Sequence, residues 1–484
     1  MSSEIERLTP AVVWRQFHRL TQIPRPSRHE TEVRDFLAAF GKDRNLETLV
    51  DEAGNVIIRK PATVGREKRP GVILQGHMDM VAQANAGSGH DFTRDPLRTR
   101  VEGDWVLAEG TTLGADNGIG VAAILAAMES GDLVHGPLEA LFTSNEESGM
   151  DGAFGLKPGL LRGEILINTD AEQEGELCIG CAGGANVNST LAYRQVCIEK
   201  DWVACRVSIT GLRGGHSGVD IHRGRGNAVS LLFRLLKSAV LDFSLRIYSV
   251  DAGNLRNAIP REAFALVAVA DRDLTRLQAS IDRWQSVFAA ELKYADPAVR
   301  IDLQTIETPL NGWMDPSDAL RLMHAVCACP SGVFRMSDTI PDLVESSNNL
   351  AIVAAVEGKI EIRNLVRSSV DSARDDICGK LMSLFTLAGA ESGCDGHYPG
   401  WKPDLSSSIL KLVREVYREK FGRDAATGAI HAGLECGILR AAYPDVEMIS
   451  FGPTIRYPHS PGERVEIASV DRFWELLVGV LAKV

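Results

Sequence analysis

Gly71-Val72-Ile73-Leu74-Gln75-Gly76-His77-Met78-Asp79 is the stretch on which the fold is read. Its apolar half reads as a strand, and the strand stops at a His and an Asp two positions apart. Two more runs behave the same way. Leu138 to Thr143 stops at Glu146-Glu147, and Ile165-Leu166-Ile167-Asn168 stops at Asp170. Between the first two, Leu113-Gly114-Ala115-Asp116-Asn117-Gly118-Ile119-Gly120 opens an apolar, helix-like segment. Met448 to Phe451 leads through a Pro-containing loop to His459. Open α/β sheets bind ligands at the carboxyl ends of their strands. His, Asp and Glu residues gathered there predict one site assembled from distant pieces of chain.

Outward from that stretch, the pattern alternates. Thr9-Pro10 reads as an N-cap followed by Pro at the first helical position. Val13, Trp14, Phe17 and Leu20 then recur at helical spacing. Helical and strand runs, including Asn55 to Arg59, alternate to about residue 184, which is the α/β signature. Cys181-Ala182-Gly183-Gly184 breaks it. Residues 185–396 carry none of the cluster residues and mix strand-like runs (Trp202 to Thr210, Ala263 to Ala270, Lys359 to Val366) with helical ones such as Asn227 to Val240. That mixture predicts an α+β insert. The first pattern resumes after Tyr398-Pro399-Gly400, with helices expected over Leu405 to Phe421, His431 to Leu439 and Val470 to Val484. The expected organisation is 1–184 and 397–484 as two parts of one α/β domain, interrupted by 185–396.

Bulk composition agrees with a multidomain globular chain. At 484 residues it exceeds one ordinary core. Hydrophobic content of 45% and charged content of 24% exclude disorder as the main state. A net charge of −12 argues against nucleic acid as partner, which needs a basic face. No apolar run approaches the ~18 residues of a membrane span. The first residues show no basic stretch followed by an apolar core, so a cytoplasmic location is expected. Nine cysteines without framework spacing fit a reducing compartment and are expected to be small buried thiols, Cys178-Ile179-Gly180-Cys181 included.

The chemistry lies in His77, Asp116, Glu147, Asp170 and His459. Two imidazoles and three carboxylates suit Zn²⁺, Co²⁺ or Mn²⁺. Five ligands exceed the three that a single catalytic zinc takes from protein. They suit two ions, a clamp that activates water and polarises a carbonyl. Asp116, in a Gly-flanked turn, is the natural bridge. Asp79 lies two positions after His77, on the same side of an extended segment, and is placed to accept the other ring N–H of His77. Glu146, beside a ligand but outside the set, is the candidate general base. Each element alone has a plain reading as a solvated acid pair, a loop carboxylate or a turn; the ensemble carries the inference.

With these residues in view, the chain resembles the co-catalytic zinc exopeptidases, a family that includes bacterial carboxypeptidases, aminoacylases and carnosinases. Further stretches resemble the branch of bacterial aminoacyl-histidine dipeptidases. These are Val134-His135-Gly136-Pro137-Leu138-Glu139, Gly149-Met150-Asp151-Gly152-Ala153, Ile167-Asn168-Thr169-Asp170 and Gly180-Cys181-Ala182-Gly183-Gly184. Gly214-Gly215-His216-Ser217-Gly218, Arg256-Asn257-Ala258-Ile259-Pro260-Arg261 and His431-Ala432-Gly433-Leu434-Glu435-Cys436-Gly437 belong with them. The likeness covers essentially the whole chain. It implies a catalytic domain with a mixed sheet flanked by helices, interrupted by an α+β lid. It implies two divalent ions per chain, zinc first, with cobalt and manganese as alternatives. His77 and Asp170 would hold one ion, Glu147 and His459 the other, with Asp116 shared and its bond to Asn117 often cis. His216 would stabilise the oxyanion, and Asn257, Arg367 and Gly433 would contact substrate. The implied activity is hydrolysis of Xaa-His dipeptides, β-alanyl-histidine among them, by a monomer or homodimer. A deacylase of the same fold and a non-catalytic metal-binding protein are the rival readings.

Overall fold

The computed structural model describes residues 4–197, 201–307 and 312–484. Two compact units divide the chain. The first comprises Met1–Gly180, Pro403–Ala429 and Leu434–Val484, and the second Cys181–Lys402 and Ile430–Gly433.

The first unit is built on an eight-stranded mixed sheet. Its order is Glu47–Val50, Val56–Lys60, Leu138–Thr143, Val72–His77, Ile165–Asn168, Glu447–Ser450, Glu176–Cys181 and Ala426–Ile430. The four central strands, Leu138–Thr143 to Glu447–Ser450 in that order, are parallel. Every residue of Val72–His77 and Leu138–Thr143 is buried, as expected of strands covered on both faces. Parallel strands in register end at one edge: His77 lies opposite Thr143, and Gln75 opposite Asn168. That shared edge is why ligands far apart in sequence converge.

The helix Ala115–Glu129 is apolar nearly all round and buried from Ala115 to Met128. It packs on Val72–His77 and on the helix Ala11–Thr21, whose Val13, Trp14, Phe17 and Leu20 are all buried. The start of that helix differs from expectation by one residue. Pro10 itself is the N-cap, accepting from the amides of Val13 and Trp14, and no side chain caps the helix. Thr9 instead offers its main-chain oxygen to the Trp14 indole.

The second unit is antiparallel. Its nine-stranded sheet runs Arg300–Thr305, Trp202–Thr210, Ala263–Ala270, Arg246–Ala252, Val344–Val356, Lys359–Ser368, Gly183–Ala192 and Glu391–Tyr398, with Gly332–Met336 also on Val344–Val356. Alternate residues such as Cys205, Val207 and Ile209, or Ala263, Ala265 and Val267, point into one core. The helices Ala228–Phe243, Leu274–Glu291, Pro316–Ala328 and Asp371–Leu387 close that core. The opposite alternation is part-exposed, as antiparallel sheets allow.

Two more expectations need correction. The helix expected from His431 begins only at Glu435, because His431 to Gly433 run with the second unit, where Ala182 N donates to the carbonyls of Ile430 and Ala432. The cysteines are not uniformly buried. Cys197 is exposed beyond the short strand Gln195–Val196, and Cys178, Cys327 and Cys394 are part-exposed.

Candidate active site

In the first unit, the parallel edge gathers the five expected ligands. His77 ends its strand, and its Nε2 lies 3.1 Å from Asp116 Oδ1 and 3.3 Å from Asp170 Oδ1. His459 Nε2 lies 3.2 Å from Asp116 Oδ2 and 3.0 Å from Glu147 Oε2. The two oxygens of Asp116 thus face two different histidines. Two groups able to hold a cation share this residue, His77 with Asp116 and Asp170, and Asp116 with Glu147 and His459; within each, ligand atoms lie within 4.8 Å of one another. A third such group joins His77 with Glu146 and Glu147.

The donor chemistry suits divalent cations, and one atom asks for one. Glu147 Oε1 is buried without a hydrogen bond, a costly state for a carboxylate oxygen. In the metal-free chain, protons balance the charge. Hydrogen bonds to Asp116 and Glu147 raise the His459 pKa to about 11. Burial would lower that of His77, but Asp170 and Asp116 hold it well above its usual value. Burial and the neighbouring Asp116 push Asp170 up to about 7. Burial, Asp170, Glu435 and Glu147 likewise raise Glu146 well above the carboxylate range, against the pull of His77.

Asp79 stands behind His77. The ring Nδ1 is 3.2 Å from the Asp79 main-chain oxygen and 3.4 Å from its carboxylate. That carboxylate also accepts from Ser27 Oγ and from the amides of Glu146 and Glu147, at 2.8, 3.0 and 3.2 Å. It therefore orients the acidic pair as well as the imidazole. Asp116 and Asn117 open the buried helix with non-helical backbone and a cis bond between them. The Asn117 side-chain amide donates to Asp170.

In the second unit, His216, Asn257 and Arg367 gather around Ser217. Ser217 N donates to Asn257 O at 2.8 Å, and Arg367 Nε to Ser217 Oγ at 3.3 Å. His216 Nδ1 accepts from the amides of Gly218 and Val219 at 3.2 and 3.0 Å. A neutral imidazole held that way carries its proton on Nε2, as a donor. Burial and nearby Arg367 lower its pKa to about 4, so it stays neutral. Arg367 is 5% exposed, and its remaining bond is Nη1 to Tyr398 Oη, 2.8 Å. No carboxylate among the described residues pairs with it, and it is no surface arginine. Gly433 is half-buried in the short segment Ile430–Gly433.

A family model for Peptidase family M20/M25/M40 matches residues 73–483. The chain belongs to this family. The chain is 43% identical over 484 residues, 100% of its own length and 99% of the other's, to the cytosol non-specific dipeptidase of Escherichia coli (strain K12). The crystal structure of aminoacylhistidine dipeptidase from Vibrio alginolyticus matches 100% of this chain and 98% of that one, at 42% identity and a TM-score of 0.92. Aminopeptidase PepT from Bacillus cereus shares the fold, with a TM-score of 0.57 at 15% identity over 98% of this chain and 99% of that one.

The cluster has supports that carry no ligand pattern of their own in the sequence. Arg25, fully buried, donates to the carbonyls of Met78, Asp79 and Gly114 at 3.1, 2.9 and 2.5 Å. Glu435 Oε2 accepts from Gln75 at 2.6 Å and Thr143 at 2.8 Å, and Asn168 Nδ2 bonds the other end of the Gln75 amide at 2.6 Å. Asn168 in turn accepts the amide of Asp170 at 3.1 Å. Glu463 accepts four main-chain amides beside Asp116. Glu435 lies in the stretch from His431 to Gly437, and Glu463 lies four residues after His459. Arg25, between two prolines, gave no signal.

Proposed function

We propose that this chain is a metal-dependent dipeptidase acting on small peptides with a free C-terminal carboxylate, Xaa-His dipeptides among them. Membership in a peptidase family makes it a peptide-bond hydrolase. The observation that carries the metal reading is Asp116, with one oxygen toward His77 and the other toward His459. His77, Asp170 and Asp116 would hold one ion, and Glu147, His459 and Asp116 a second, zinc before cobalt or manganese. When bound, such ions supply Lewis-acid polarisation of the scissile carbonyl and a water acidic enough to attack near neutral pH.

The chain's own residues do the rest. Glu146, whose carboxylate has no hydrogen-bond partner among the described residues, takes the proton of the attacking water and passes it to the leaving amine. Asp79 keeps the His77 ring and the Glu146–Glu147 amides in place. His216 donates from Nε2 to the oxygen that becomes negative. Arg367 presents an unneutralised, planar guanidinium to the substrate carboxylate, which it can bind bidentately. Asn257 and Gly433 complete the contacts.

The names of the two full-length relatives differ in breadth: the enzyme from Escherichia coli is called non-specific, and the protein from Vibrio alginolyticus is named for aminoacyl-histidine. Histidine at the second position is thus the narrower part of this proposal, and the carboxylate grip the broader. The cytosol, named in the first relative, is the proposed compartment.

A panel assay tests all of this. Chelator-treated protein should be inactive and recover with Zn²⁺, Co²⁺ or Mn²⁺. Ala-His and β-alanyl-histidine should be cleaved, whereas Ala-His amide and tripeptides should be poor. Full activity in metal-free protein would end the metal reading. Equal turnover of Ala-His and its amide would remove Arg367 from the carboxylate.

A further inference from the structure

Among the buried acids that the chemistry leaves unused, Glu463 has the most complete setting. It is 2% exposed. Its Oε2 accepts from the amides of Leu113 and Gly114 at 2.8 and 2.9 Å, and its Oε1 from those of Ala115 and Asp116 at 2.7 and 3.3 Å. Four consecutive N–H groups, those of Leu113 and Gly114 just before the buried helix and of Ala115 and Asp116 at its start, thus converge on one carboxylate far along the chain. The strand Arg464–Glu466 carries it there by pairing with Trp105–Ala108, just upstream of the turn. From the opposite polarity, Arg25 grips the same turn through the Gly114 carbonyl. Gly114 makes that grip possible: its φ is +65°, and a Cβ there would lie 2.6 Å from Arg25 Nη2.

We infer that Glu463 is the positioning residue for both ions at once, because its cradle of four amides sets the carboxylate of Asp116 between His77 and His459. The inference rests on the two-ion reading above. Asp116 is the one residue common to the two cation groups, so a fault in its turn reaches both. Glu463 is also four residues from His459, so one loop delivers a ligand and the clamp for the ligand shared with it. Glu463→Gln tests this sharply. The amide keeps size, but its NH₂ must face two main-chain N–H donors, donor against donor, and half the cradle turns repulsive.

Metal-free protein is titrated calorimetrically with Co²⁺, and the visible absorption of the bound ion is recorded. Wild-type chain should take up close to two ions. In Glu463→Gln both binding steps should weaken together, by roughly 10–100-fold, and the absorption bands should shift. Glu463→Asp, which keeps the charge but falls short by one methylene, should lie between the two. Where Glu463→Gln yields no folded protein, Glu463→Asp decides. Unchanged affinities and bands with only a lowered melting temperature would make Glu463 a merely structural acid and overturn the inference. So would loss of one ion alone. Failure of wild-type chain to take up Co²⁺ would instead strike the two-ion reading itself, and the inference with it.

Discussion

The two units solve opposite electrostatic problems. The first crowds carboxylates. Burial and their mutual repulsion drive Asp170, Glu435 and Glu463 up to about 7 and Glu172, two residues past Asp170, to about 8. The second crowds cationic and imidazole groups. Burial and Arg367 press His216 down to about 4 and His431 to about 3. A site that holds too much negative charge is built to receive cations; one that holds an unneutralised guanidinium and a neutral imidazole donor is built to receive an anion or a developing one. The roles proposed for the residues of each unit rest on that contrast.

The contrast breaks first at the acidic pair. If Glu146 is a base and Glu147 a ligand, the two glutamines should behave differently. Glu146→Gln should lower kcat by about 10²–10⁴-fold with metal content unchanged. Glu147→Gln should lose metal, because His459 would face only Asp116. Elemental analysis beside steady-state kinetics reads both. Equal metal loss in the two variants would place Glu146 in the ligand set, as its grouping with His77 and Glu147 allows.

The second unit offers the next largest effect. His216→Ala removes a neutral donor whose tautomer is fixed by two main-chain amides. Removal of one oxyanion donor typically costs ~10²–10³-fold in rate. The loss should fall on kcat more than on KM, since the charge it meets exists only near the transition state. Near-normal kcat with full metal content would reduce His216 to a turn residue.

Much of this was legible in the sequence. Leu138 to Thr143, Ile165 to Asn168, Trp202 to Thr210 and Ala263 to Ala270 were readable as strands to the residue, since short apolar or alternating runs between Gly and charged residues leave few other choices. The ligand side chains were visible as His, Asp and Glu where those runs stop. What escaped was the layer beneath them. Glu463, Glu435 and Arg25 act through main-chain groups or through Gln75 and Asn168, and a carboxylate that serves a distant amide leaves no local pattern. The helix expected from His431 failed for a related reason. Its first residues pair with the other unit, and tertiary hydrogen bonding overrode a helical run.

The smallest effect, a stability trend with pH, sharpens the contrast most directly. His216 and His431 take up a proton near 6.5 when unfolded, but in the second unit only near 4 and 3. Between those values the unfolded chain binds more protons, so their contribution is complete above 6.5 and is lost as pH falls toward 4. In the metal-free first unit the sign reverses. Asp170 and Glu435 titrate near 7 when folded and at 3.8 and 4.5 when unfolded. The folded state then binds more protons over the same window and gains stability as pH falls. Hydrogen exchange on the metal-free chain at pH 6.5 and 4.5, corrected for intrinsic rates, should show protection falling in Lys359–Ser368 while Val72–His77 holds or gains. The difference should be of order 1–3 kcal/mol, as shifted buried groups commonly give. His431→Gln should flatten the second trend and leave the first alone, because His431 supplies the larger depression and its ring bonds Ser347 of the same unit. Parallel trends in the two units would mean that their opposite charge surpluses do not govern their stability.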